Sequence, residues 1–172
     1  MERGYAHQSR EGTNVMENYL DILEESLQKK LKVLEEITVY NQEQEHLIKK
    51  EGVSPEELDE NMKCKDELIQ KLTTLDDGFE TLFGRIKEQL LASKDEYKDQ
   101  IRKLQQLISE VTEKSVSIQA QESRNKKLFE DYFRKERSQL RQNRQSSKAA
   151  YNYYKSVNNT NVVMPQMMDQ KK

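Results

Sequence analysis

At 172 residues the chain is long enough for one domain with tails and too short for two. Its hydrophobic content of 34% and charged content of 35% exclude a thick core, since ordinary globular domains run at about 45 to 50% and about 25%. With 5 Gly, 2 Pro and no Trp it also lacks the turn density of a sandwich, a barrel or an alternating strand and helix fold.

What remains is an all-α chain, an elongated antiparallel bundle of three long helices with coiled-coil-like packing, each helix burying a narrow stripe. The net charge of −2 hides an asymmetry: residues 1–80 carry 20 acidic and 10 basic side chains, whereas residues 124–148 carry 3 and 9. Cys64 is the single cysteine, so no internal disulfide can form, and neither a membrane-length apolar run nor the apolar core of a secretory signal is present. The expectation is a cytoplasmic protein.

In chain order, residues 1–14 are polar and aperiodic and read as a disordered leader, leaving 15–145 as the helical bundle. From Met16 to Lys50 the apolar residues Leu20, Leu23, Leu27, Leu31, Leu34 and Ile37 fall three or four apart, with Glu24, Glu25, Lys29, Lys30, Glu35 and Glu36 largely off the stripe. That spacing predicts an amphipathic helix. The stripe then passes through Asn41 and Gln44, a polar pair suited to fixing register or lining a wet groove.

Gly52, Ser54, Pro55 and Glu57 are a helix stop followed at once by a capping box, and Val53 and Leu58 have the spacing of a hydrophobic staple. A connection this short makes the first two helices antiparallel neighbours. The second helix follows Leu58, Met62, Ile69, Leu72, Leu75, Phe79, Leu82, Phe83, Ile86 and Leu90, with Asp76-Asp77-Gly78 breaking its propensity but not its period. Near Ser93 the seam slips by one residue. Ser93 and Glu96 have capping-box spacing, which favours a turn, while the lack of Gly or Pro leaves open a hairpin whose second and third helices are continuous.

The third helix carries a heptad seam through Tyr97, Ile101, Leu104, Ile108, Val111, Ser115, Ile118, Glu122, Asn125, Phe129 and Tyr132. Its first third is aliphatic and its middle polar, and Leu128, Phe129, Tyr132 and Phe133 gather at its end. Either the bundle itself covers those aromatics or they are kept for a partner. The basic run from Arg134 to Lys148 complements the carboxyl end of its own helix and, with no accompanying fold motif, does not point to nucleic acid. Residues 146–172 read as a flexible polar tail, with Tyr151, Tyr153 and Tyr154 and then Val162, Val163, Met164, Met167 and Met168 as two small apolar clusters, each a possible docking peptide.

No catalytic machinery is visible. His7 and His46 have no metal-ligand spacing with Cys or carboxylates, and phosphate-cradling glycine loops are missing. The sequence calls for no enzyme activity, metal, cofactor or small-molecule substrate.

Three segments, ENYLDILEESLQKKLKVLEEI from Glu17, KCKDELIQKLTTLDDGFETLF from Lys63 and SIQAQESRNKKLFEDYFRKERSQLRQ from Ser117, together resemble the FlgN family of bacterial flagellar export chaperones over residues 16–145. The FliT-type chaperones share the helical composition. The resemblance implies an all-helical cytoplasmic chaperone that holds hook-associated (filament-junction) proteins before export, chiefly through its carboxy-terminal helix. On that reading the partner-binding residues are Ile118, Asn125, Leu128, Phe129, Tyr132 and Phe133, and the client offers an amphipathic terminal helix. The acidic first half, the leader and the tail depart from the family pattern. The alternative is a structural coiled-coil protein of a bacterial assembly, and the sequence leaves client and oligomeric state open.

Overall fold

The computed structural model describes residues 3–136 and Asn152, with side chains from Asn14 onward. Three helices, α1 (Arg3–Lys49), α2 (Pro55–Ala92) and α3 (Lys98–Lys135), account for nearly all of it, with no strand among the described residues. Apart from Asn152, the tail with its two apolar clusters lies outside the described residues, as does most of the basic run after Arg134. Helical backbone begins at Arg3, inside the stretch expected to stand outside the fold. Once the stripe from Met16 holds the helix, extending it through a segment without proline costs little.

The turn between α1 and α2 forms as its residues dictate. Gly52 takes φ of +73°, the left-handed conformation that closes a helix. Ser54 Oγ accepts from the Glu57 N–H at 3.2 Å, and the Ser54 N–H donates to Glu57 Oε2 at 3.3 Å, while Val53 and Leu58 are buried together. Replacing Ser54 and Glu57 together by Ala should lower the free energy of unfolding by about 1 to 2 kcal/mol. Thermal melting reads this, and an unchanged midpoint would show that the cap contributes nothing.

The junction near Ser93 is a turn, so α2 and α3 are separate helices, but the capping box expected there does not form. Ser93 instead closes α2, its N–H donating to Gln89 O at 3.1 Å, and Tyr97 starts α3 without a side-chain cap. Tyr97 is 4% exposed. Burial of its ring fixes the start of α3 more firmly than a surface cap would.

Side-chain pairs give the register. Lys30–Asp76, the Tyr40 carbonyl with Asn61, and Gln44–Lys65 run antiparallel between α1 and α2. Glu24–Lys103, Glu35–Lys114, Asn41–Gln121 and Gln44–Asn125 run parallel between α1 and α3 at a sequence offset of 79 to 81. The path is up, down, up. α1 packs against both other helices, and α2 and α3 approach each other much less closely.

One continuous core joins Leu20, Leu23, Leu27, Leu34 and Ile37 of α1, Phe79, Phe83, Ile86 and Leu90 of α2, and Tyr97, Ile101, Leu104, Leu107, Ile108 and Val111 of α3. Asp76 leaves α2 unbroken because its carboxylate reaches Lys30 Nζ at 2.6 Å. Lys30 is therefore buried on the α1 stripe, where the sequence placed it largely off that stripe. Burial pushes the Asp76 carboxyl above its usual range, and the Lys30 ammonium works against that shift.

Candidate functional site

Above the aliphatic core all three helices turn polar at one level. Asn41 and Gln44 from α1, Asn61 and Lys65 from α2, and Glu122 and Asn125 from α3 are all buried there. Lys65 Nζ sits 2.9 Å from Glu122 Oε1 and donates to Gln44 Oε1 at 3.1 Å. Asn125 Nδ2 donates to the Asn41 carbonyl at 2.9 Å and to Gln44 Oε1 at 3.1 Å, and Asn61 Nδ2 donates to the Tyr40 carbonyl at 3.1 Å. Asn41 Oδ1 and Asn61 Oδ1 are buried without a hydrogen-bond partner among the described residues. Two of the polar seam positions that thinned the predicted core of α3, Glu122 and Asn125, are thus held by a network to residues far away in sequence.

Burial lowers the Lys65 ammonium to about 8, and Glu122 only partly offsets the shift. An unfolded lysine titrates near 10.4. Between these values the unfolded chain binds more protons than the folded one, so stability rises with pH. The expected result, relative to a Lys65→Met/Glu122→Leu pair variant, is a gain on the order of 3 kcal/mol at most across that window. Urea melts of both proteins across the window would check it, and parallel pH profiles would show that Lys65 is not desolvated.

The aromatic group comes next along α3. By the α1 register, Phe129 lies level with the last turn of α1, and Tyr132 and Phe133 lie beyond the end of that helix. Phe129 and Phe133 rings stand 5.6 Å apart, and Tyr132 meets Phe133 edge-on at 5.6 Å. Burial and the nearby Glu136 carboxylate both raise the Tyr132 hydroxyl above its ordinary value, burial being the larger cause.

The six residues expected to meet a partner divide into two sets. Ile118, Asn125 and Phe129 are buried in the bundle, at 3%, 2% and 3% exposure, because α1 and α2 supply what the seam alone could not show. Leu128, Tyr132 and Phe133 pack against the core but keep exposed edges, forming a half-wet apolar ledge at the helix end. A further feature had no sequence signal, a groove of about 780 Å³ between α1 and α2, lined by Val33 and Leu75 among Lys32, Glu36, Lys71 and Thr74. Its charged groups, Lys32, Glu36 and Lys71, belong to exposed helix faces.

No cluster of His, Cys, Asp and Glu among the described residues is arranged to hold a metal ion. No helix among them is long and apolar enough to cross a membrane.

Residues 16–161 match the family model described as FlgN protein. The chain belongs to the FlgN family. FlgN proteins are flagellar export chaperones, a family of binding proteins and not of enzymes, which agrees with a thin bundle carrying an apolar ledge. The FlgN match begins at Met16, the first described residue of the buried stripe. No curated protein and no solved structure matches the chain.

Proposed function

We propose that this FlgN-family chain works in the cytoplasm as a chaperone for hook-associated (filament-junction) proteins, binding an amphipathic terminal helix of the client on the ledge of Leu128, Tyr132 and Phe133. The observation that carries the reading is the position of that ledge. Tyr132 and Phe133 lie where α3 runs past the end of α1, Leu128 is level with the last turn of α1, and all three keep edges exposed among the described residues. Such a surface suits a helix laid in a groove, with aromatic anchors ringed by charge. Holding the client's assembly helix this way would prevent premature association before export. The alternative of a structural coiled coil is less well supported, since the apolar seam it would share with other chains is already covered by α1 and α2.

The test is titration calorimetry with the terminal helical peptide of a hook-associated protein from the same organism. Tyr132→Ala and Phe133→Ala are expected to keep their circular dichroism and to lose about 2 kcal/mol each of binding free energy, more than tenfold in Kd. Unchanged affinity in both folded variants would rule out the ledge as the client surface.

A further inference from the structure

The two ends of α3 are held by different chemistry. From Tyr97 to Val111 the helix buries Tyr97, Ile101, Leu104, Leu107, Ile108 and Val111, and no polar side chain is buried among them. From Thr112 to Lys135 the fully buried apolar residues are Ile118 and Phe129 alone, and Ser115, Glu122 and Asn125 occupy the other inward positions. α3 also touches α2 little, so beyond Val111 it rests mainly on the upper part of α1 and on the contact of Lys65 with Glu122.

This division has an energetic meaning. Separating apolar surfaces exposes them to water at full cost, whereas a buried ion pair and its amides regain hydration when they part. A desolvated pair opposes its own burial, as the lowered titration of Lys65 shows. The same groups give directional partners that restore one register on closing.

We propose that α3 beyond Val111 is a detachable arm, which opens as one unit from α1 and α2 at the layer of Gln44, Lys65, Glu122 and Asn125 and closes again in register. Opening uncovers Ile118 and Phe129 on the arm and bares the face of α1 on which the arm rests, where Ile37 and Ile48 stand level with them by the α1 register, all four buried in the closed bundle. The arm thereby enlarges the ledge of Leu128, Tyr132 and Phe133 into a two-sided apolar site for a client helix. This second step rests on the client reading above, and the opening itself does not.

Native-state hydrogen exchange of the free chain, in low guanidinium, tests the opening without any client. Amides from about Ile118 to Phe129 should share one protection factor and one denaturant slope, with protection about tenfold or more below that of Leu104 to Val111. The step should fall between Val111 and Ile118, and it should disappear in the Lys65→Met/Glu122→Leu variant. Uniform protection, a smooth gradient toward Lys135 as in simple end fraying, or a step that persists in the variant would each overturn the arm. With the terminal helical peptide as probe, the variant should bind about tenfold more weakly than the parent, because the competent open state is rarer. Equal binding, with the exchange step abolished, would overturn the link between opening and client capture. If the peptide fails to bind even the parent chain, the client reading falls, while the exchange result still decides the arm.

Discussion

Glu122→Leu should lower the free energy of unfolding by about 3 to 5 kcal/mol, because it leaves the Lys65 ammonium buried without its counter-charge. Lys65 is 0% exposed and donates to Gln44 Oε1 at 3.1 Å, an amide oxygen that carries no full charge to replace the carboxylate. A domain of this kind has only about 5 to 15 kcal/mol in hand, so the loss is a large part of the whole. The paired change Lys65→Met/Glu122→Leu should return to within about 1 kcal/mol of the parent or exceed it, since two apolar chains of similar length avoid both desolvation costs. Guanidinium unfolding followed by circular dichroism measures the three proteins together. A single variant as stable as the parent would mean that water reaches Lys65 and the network carries little.

Phe129→Ala should cost about 3 kcal/mol, at the lower end for a buried aromatic because the helix end can relax around the vacancy. Phe129 is 3% exposed with its ring tilted at 34° against that of Phe133, whereas Tyr132 and Phe133 keep part of their rings in water. Their replacement by Ala should therefore cost only about 1 to 2 kcal/mol each. Urea melts of the three variants would show the ranking. Equal losses would mean that Phe129 is no more a core residue than its neighbours, and a negligible loss for Phe129→Ala would return it to the candidate client surface.

These expectations rest on a distinction between which way a residue faces and what it meets. Every position that the heptad of α3 named from Tyr97 to Phe129, including Ser115, Glu122 and Asn125, is buried, and Leu107 beside the seam is buried as well. The spacing carried that information because 3.6 residues per turn fixes which side chains share a face. It carried nothing about the opposite wall. Polar residues on the seam therefore resembled a core thinning toward a partner, and the aromatics resembled one surface patch. The structure places Asn41, Gln44 and Lys65 against the polar positions and divides the aromatics between interior and ledge. Lys30 is the same lesson on α1: its position touches the stripe, and only Asp76 on the neighbouring helix makes its burial tolerable.

The all-helical class, the hairpin at Gly52 to Leu58, most of the inward face of each helix and the family resemblance are legible in the chain alone. All of these are written in local spacing, caps and one left-handed glycine, within a turn or two of chain. Only the tertiary structure decided that the turn near Ser93 starts α3 at a buried tyrosine, that α3 lies parallel to α1 with α2 set apart, and that a layer of buried charge and amides separates the aliphatic core from the aromatic ledge. Those features depend on the relative height of helices joined by turns of a few residues. Pairings such as Lys65 with Glu122 or Asn41 with Asn125 exist only once packing has set that height, and no periodicity along one helix contains it.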